Sequence, residues 1–398
     1  MTPPLTGLTV LDFSRVLAAP WATQVLAELG ATVVKIERPG TGDETRGFEP
    51  QMPQGESAYF FAFNRGKQSV TLNLKTSRGQ ELARGLARQA DVVVENFLPG
   101  IMDRLGLGYD RLCADNPGLV YVSTTGFGQS GPDRDRKGYD TIFQALSGVM
   151  AMTGAPGGPP AKAGIPVADL SSGLWVAVAV LSGLVGRGVT GRGRHVDVSM
   201  MDAQISLQAL NATRLFALGE DPVRTGTEHP GRVPSAAFQT ADGGWLHISG
   251  SDQHWQPLCA VLGLVDLAGD PALAANRGRV AARARVMTAL TRAVATRDRD
   301  PLIAELLAAD VPVGAVRTVR EALADPHTVA RGMVASFDHP TEGTVPAVRT
   351  PLRDADPGAE LPPLVAPPLL GADTDAVLGA RLGLAEDELA ALHAEGVI

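Results

Sequence analysis

Leu8-Thr-Val-Leu-Asp-Phe13, Pro20-Trp-Ala-Thr-Gln-Val-Leu-Ala-Glu-Leu29 and Ala31-Thr-Val-Val-Lys-Ile36 set out the pattern that decides the fold. The first and third segments are short and mostly aliphatic, which reads as buried strands. The middle segment reads as a helix. Pro20 stands at its start, where a missing N–H costs nothing, and Gly30 ends it. The pattern then repeats. Gln68-Ser-Val-Thr-Leu-Asn-Leu74 reads as a strand and Ser77 as the cap of a helix over 78–89. Asp91-Val-Val-Val-Glu95 and Leu119-Val-Tyr-Val-Ser123 read as two more strands. Strands alternating with helices imply βαβ units on a parallel sheet. The predicted class is α/β, with a large Rossmann-like parallel-sheet domain and a smaller α+β domain.

Past Thr125 the chain turns rich in Gly, Pro and charge, with one helical piece over 142–150. The apolar run Leu174-Trp-Val-Ala-Val-Ala-Val-Leu181 follows, then a strand His195-Val-Asp-Val-Ser199 and a helix over 200–218. Composition shifts at 219–234, so the large domain is drawn over 1–220 and the small one over 221–334. Within the small one, 245–249 reads as a strand, and 255–264 and 283–295 as helices. Asp300-Pro301 reads as a cap and first turn of a further helix, to 308. Residues 335–398 read as a C-terminal segment returning to the large domain, proline-rich and extended to Pro368, with a last helix from about Glu386.

The chain has 398 residues, a net charge of -8 and no long basic run, which argues against nucleic acid or an anionic membrane as partner. Its two cysteines, Cys113 and Cys259, stand far apart and suggest neither a disulfide framework nor a zinc site. No histidine spacing suggests a metal. Met1-Thr-Pro-Pro lacks the pattern of a secretory leader, and the apolar run from Leu174 to Val185 is shorter than a membrane span. A cytoplasmic protein is expected.

Gly126-Phe-Gly-Gln-Ser-Gly131 matches the dinucleotide fingerprint in spelling, but Pro132-Asp-Arg-Asp-Arg136 follows where a helix should open. It reads as a glycine loop with special dihedrals. Arg38, Lys75 and Arg104 fall just past successive strands, on the rim where open parallel sheets bind ligands, and would suit a phosphorylated anion. Asp169 opens Asp169-Leu-Ser-Ser-Gly173 at the head of the apolar run. It reads as a helix cap, with Ser172 at the capping-box position, or as a nucleophile. A helix start keeps a carboxylate ionised, and its free N–H groups could hold an oxyanion.

The motifs carry a resemblance. Gly7–Phe13, Gly30–Pro39, Phe63-Asn-Arg-Gly-Lys67, Leu72–Lys75, Val94–Phe97, Gly126–Pro132, Gly138-Tyr-Asp140, Asp169–Gly173, Gly332-Met333 and Gly371-Ala-Asp-Thr-Asp375 follow one another as in class III CoA-transferases, the family of formyl-CoA transferase and carnitine CoA-transferase. The resemblance implies an interlocked homodimer of two-domain subunits. It implies transfer of CoA from an acyl-CoA donor to a carboxylic acid acceptor, with coenzyme A as substrate and no tightly bound cofactor. Asp169 would be the nucleophile, passing through an aspartyl–acyl anhydride and an aspartyl-CoA thioester. Leu17, Ala18, Arg38, Leu72, Lys75, Asn96, Phe97, Arg104, Lys137 and Tyr139 match the family's CoA contacts. Asp140 and the loop Ser249-Gly250-Ser251 are candidate substrate contacts. That loop lacks the glycine run of formyl-CoA transferase, which argues against formyl and oxalate as substrates. Ser235, after Pro234, replaces an aromatic residue of many relatives. Two alternatives are α-methylacyl-CoA racemase chemistry and a CoA-binding protein without activity. The racemase resemblance implies a His where Tyr139 stands, beside an Asp matching Asp140, and on the other face an Asp near Asp169 and a Glu near Asp252; this chain keeps carboxylates but lacks the His, and tyrosine is a poor base at neutral pH.

Overall fold

The computed structural model describes residues 3–356 and 360–398. Met1 and Thr2 of the leader reading, and 357–359 of the C-terminal segment, lie outside them. Two compact units emerge: the described residues of Met1–Val149, Lys162–Glu220 and His327–Ile398 form one, Met150–Ala161 and Asp221–Pro326 the other.

The first unit is built on a parallel sheet. Its chain runs β1 (Thr9–Asp12), α1 (Ala18–Glu28), β2 (Thr32–Glu37), α2 (Ala58–Phe63), β3 (Lys67–Thr71), α3 (Ser77–Arg88), β4 (Val92–Glu95), α4 (Ile101–Arg104), α5 (Tyr109–Asp115) and β5 (Val120–Thr125). It continues through α6 (Asp140–Leu146), α7 (Val149–Met152), α8 (Val167–Thr190), β6 (His195–Ser199), α9 (Met200–Ser206) and α10 (Ala209–Leu218). Strand order is β3-β2-β1-β4-β5-β6, with Val10 in register with Val33 on one side and Val92 on the other. Order therefore reverses between β1 and β4, the switch point at which such sheets open a crevice at their carboxyl ends.

Both sheet faces are apolar. Leu11, Val34 and Val93 face a core closed by Leu82 and Leu86 of α3 and by the C-terminal residues Leu378, Leu392 and Ile398. Val10, Val33, Val92 and Val94 face Ala22 and Leu26 of α1 and Val176 and Val180 of α8. The period-two alternation of each strand thus feeds two cores, as a sheet covered on both sides requires. Gly173 lets α8 approach α1 closely: a Cβ there would stand 2.4 Å from the Ala18 carbonyl oxygen. That contact sets the start of α8 against the loop that follows β1.

Several local expectations change. The run at Leu174 belongs to a 24-residue helix, long and apolar enough by length and composition to cross a membrane. Val176, Ala177, Ala179 and Val180 nevertheless pack in the core. Thr76, not Ser77, caps α3, accepting from Gly79 N–H. The helix expected over 200–218 breaks into α9 and α10. The segment expected to be extended from 335 holds an antiparallel hairpin, Val334–His339 with Gly343–Val348. A helix at Thr374–Leu382 precedes the expected last one, Glu386–Ala394. Gly371-Ala-Asp-Thr374 finishes the sheet edge: Asp373 accepts from Ser69 N–H and Thr374 from Thr71 N–H.

The second unit has its own antiparallel sheet of β7 (Ser235–Gln239), β8 (Trp245–Ser249) and β9 (Val313–Ala315). Trp255, Leu258, Leu290 and Leu302 pack in its core. Its helix near Pro301 begins at Arg299, after Asp298, so Asp300 lies inside it.

Candidate functional site

The loop joining β1 to α1 has no glycine, yet Val16 adopts a left-handed backbone, φ 71°. A β-branched residue there costs of order 1–3 kcal/mol and persists where its surroundings overdetermine it. Here they do. Lys35 Nζ donates to the Ser14 carbonyl at 2.7 Å, and Asn96 both accepts from Arg15 N–H and donates to its carbonyl. Asp43 accepts from Val16 N–H at 3.3 Å. Lys67 Nζ reaches the Pro20 carbonyl at 2.8 Å, Asn64 at 2.9 Å and Asp12 at 3.1 Å. The Asp12 and Lys67 side chains are both 0% exposed. Burial lowers Lys67 to about 8, against the pull of Asp12. Burial also pushes Asp12 up, but Lys67, Lys35, Ser14 and Thr23 together hold it below its usual range. Asn64 and Lys67 belong to Phe63-Asn-Arg-Gly-Lys67, so that motif serves the loop from beneath the sheet's edge.

This loop lines two adjoining cavities. One, of about 370 Å³, is lined by Arg15, Leu17 and Ala18, by Asn96 and Phe97 after β4, by Thr124 of β5, by Lys137 and Tyr139, and by Asp169. The other, of about 440 Å³, is lined by Arg15, Arg38, Leu72, Lys75 and Phe97. Arg15 and Phe97 border both, with the guanidinium 4.6 Å from the ring centre. The structure thus gathers Leu17, Ala18, Asn96, Phe97, Lys137, Tyr139 and Asp169 around one cavity, and Arg38, Leu72 and Lys75 around its neighbour. Arg104 ends α4 and lines neither, although Leu105 borders the second. Tyr139 is 77% exposed. Sequence reasoning missed Arg15, which pattern could not separate from any surface arginine, and Thr124, whose buried hydroxyl finds no partner among the described residues.

Asp169 is not a cap. The helix starts at Val167, so Asp169 is its third residue, and Ser172 Oγ donates to the Ala168 carbonyl instead of closing a capping box. The cap comes from Asp140, the first residue of α6. Its Oδ1 accepts from Ala168 N–H at 2.8 Å and Asp169 N–H at 3.3 Å. Those two groups are therefore taken and do not serve an oxyanion. Nor does the helix start keep Asp169 ionised at low pH. Burial pushes its carboxyl up to about 7, and the charge of Asp140 adds to the rise. Tyr59 senses the same place: burial and then Asp169 and Asp140 push its phenol up to about 12.

Ser249, Gly250 and Ser251 belong to the second unit, at the end of β8. Ser249 Oγ lies 3.3 Å from Ser235 Oγ, and Gly250 N–H donates to the Pro234 carbonyl. Ser251 bonds His254 Nδ1 at 2.9 Å. Asp252 is held by the buried Arg279 at 2.6 Å and by Asn276 N–H.

A carboxyl that titrates near neutrality, beside a cationic groove at the sheet's switch point, suits attack on an electrophile carried by a large anion. Comparisons agree in direction. The family described as CoA-transferase family III matches residues 5–374. The succinate–glutarate CoA-transferase of Agrobacterium fabrum is 39% identical over 356 residues, covering 88% of this chain and 89% of that protein. The formyl-CoA:oxalate CoA-transferase of Streptomyces avermitilis is 36% identical over 414 residues, covering 100% of both. A crystal structure of a CaiB/BaiF family protein from Brucella suis superposes with a TM-score of 0.84 at 39% identity, over 96% of this chain and 100% of that one.

Proposed function

The chain belongs to CoA-transferase family III, and from that premise we propose that it moves CoA between two carboxylic acids by covalent catalysis on Asp169. The observation that carries this reading is the position of Asp169, opening onto a cavity that adjoins the one with Arg38 and Lys75. Asp169 attacks the thioester carbonyl, the C–S bond breaks, and CoA leaves as thiolate with a mixed anhydride on Asp169. The thiolate attacks the aspartyl carbonyl of that anhydride, releasing the donor acid as carboxylate and leaving an aspartyl-CoA thioester. The acceptor carboxylate attacks this thioester to form a second anhydride. The thiolate then attacks the acceptor's acyl carbon, and Asp169 departs as carboxylate. Every step passes between activated acyl groups, and CoA stays bound throughout.

Arg38 and Lys75 suit the phosphates of CoA, and Phe97, Leu17 and Ala18 its apolar arm. Arg38→Ala or Lys75→Ala is expected to raise the KM for acyl-CoA about tenfold to a hundredfold, leaving kcat within about threefold. Steady-state kinetics at two salt concentrations read this, the parent's KM rising with salt and the variants' rising less.

The names of the two relatives above include succinate, glutarate and oxalate, all dicarboxylates, beside formyl, and Arg15, Arg136 and Lys137 line the cavity of Asp169. We therefore take the acceptor to be a dicarboxylate. A mass-spectrometric screen of acids against succinyl-CoA and acetyl-CoA tests this. New CoA esters of dicarboxylates should exceed those of betaines and aromatic acids, and the opposite order overturns the assignment. The racemase alternative is disfavoured because Asp140 spends its oxygens on backbone N–H groups and Gln144, and Asp252 is tied to Arg279. Solvent deuterium entering a 2-methylacyl-CoA without an acceptor acid would reverse that judgement. A homodimer is also part of the proposal. It is supported by an exposed apolar face on α8 and α10, where Trp175, Val185, Val189, Leu210 and Phe216 stand open.

A further inference from the structure

Asp140, a candidate substrate contact from the sequence, instead turns its carboxylate to the backbone at the start of α8. Its Oδ1 takes the N–H groups of Ala168 and Asp169. Its Oδ2 takes the Gln144 amide at 2.6 Å, and Gln144 in turn accepts from Ala163 N–H at 2.8 Å. Gln144 is fully buried. A chain of hydrogen bonds thus runs from the segment before α8, through α6, to the first turn of α8. The same arrangement holds the Asp140 carboxylate on the backbone N–H of Asp169, near enough for its charge to act on the Asp169 carboxyl.

We propose that Asp140 is a positioning residue that seats Asp169 and favours its acylation, because the repulsion between the two carboxylates is relieved when the charge of Asp169 passes to the departing thiolate. The inference rests on the transferase reading for its consequence, but not for its geometry. Before attack, both carboxylates carry charge and repel. In the anhydride and in the aspartyl-CoA thioester, Asp169 is neutral and the negative charge resides on sulfur or on the released acid. Asp140 stays tied to two backbone N–H groups and to the Gln144 amide. The elevated carboxyl of Asp169 fits this arrangement, burial contributing most and Asp140 next. The other groups facing Asp169 are Tyr59 of α2 and, around the cavity, Arg15, Arg136, Lys137 and Tyr139. From α9, Gln204 bonds Ser171 Oγ on the adjacent turn and carries no charge.

The test uses the full chain with Asp140→Asn and Asp140→Ala. Asparagine keeps an oxygen for the two N–H groups and loses the charge; alanine loses both. The first readout needs no substrate. The carboxyl of Asp169 is followed by ¹³C NMR in aspartate-labelled protein, assigned by its disappearance in Asp169→Asn. It should titrate near neutrality in the parent and about one pH unit lower in Asp140→Asn. The second readout is the rate of covalent adduct formation from acyl-CoA, by intact-protein mass spectrometry. It should fall about tenfold at pH 8 in Asp140→Asn and further in Asp140→Ala, with acyl-CoA affinity retained. Titration of Asp169 at an unchanged pH in Asp140→Asn overturns the charge effect. A shifted titration with no adduct in the parent sinks the transferase reading instead. If Asp140→Ala misfolds, Asp140→Asn alone still decides the question.

Discussion

Asp169→Asn is expected to stay folded, keep CoA binding and lose at least about 10⁴-fold in transfer rate. Covalent catalysis leaves no bypass: an amide is a poor nucleophile, and without the carboxylate there is no aspartyl anhydride for the thiolate to attack. Asp169→Ala should do the same. Transfer of CoA between acids by either variant at more than about a hundredth of the parent rate would rule out the covalent route. A second readout separates chemistry from fold. The folded carboxyl of Asp169 is raised from the usual carboxylate range to about 7, mainly by burial and then by Asp140. A raised carboxyl contributes stability fully below the unfolded value, and that contribution is lost as pH rises through about 7. At pH 8 the charged, half-buried group therefore opposes folding. Asp169→Asn should be more stable than the parent there by about 1–2 kcal/mol, allowing for screening through the open cavity. The gain should shrink toward pH 5. Thermal melts at the two pH values check this, and an equal difference at both would show that burial of the charge is not its source.

The largest expected cost in stability lies beneath the site. Lys67→Met should destabilise the protein by about 3–5 kcal/mol, because it strands the carboxylate of Asp12 in a place with no solvent. It also removes a donor from the Pro20 carbonyl, so the loop carrying Val16, Leu17 and Ala18 loses one of its ties. Asp12→Asn combined with Lys67→Met should recover part of the loss, since no unpaired charge then remains. Denaturant titration of the two single variants and the double one gives the coupling. A cost for Lys67→Met below about 1 kcal/mol, or strict additivity, would mean that water reaches the pair.

These expectations show where sequence reading succeeds. The order of the strands to β5, with α1 and α3 between them, is legible because each strand's apolar run and each of these helices' periods are local, whereas the short helices α2, α4 and α5 carry no such signal. Gly30 and the sheet-forming valines act through their own backbone and immediate neighbours. Residue types also pointed to Arg38, Lys75 and Asp169, since charge just past a parallel strand falls on one rim of the sheet. Of the two readings of Asp169, cap or nucleophile, the cap fails for an equally physical reason. Capping chemistry within a local window favours an Asp at a helix start, whereas the actual cap, Asp140, lies far along the chain and arrives by packing of α6 on α8. The same holds for Val16. Nothing in Ser14-Arg-Val-Leu17 predicts a left-handed valine, because the groups that hold it are on β1, β2, β4 and the segments beside them.

The sequence by itself determined the alternating α/β class, the family and the nucleophile candidate, since these rest on periodicity and on motifs that survive as strings. Tertiary structure alone decided how that nucleophile is held. A buried Lys67–Asp12 pair, a strained loop tied at Ser14, Arg15 and Val16, and a second carboxylate capping α8 are contacts between segments distant in sequence. Their energies come from burial and from pairing at two or three ångströms, neither of which a linear string encodes.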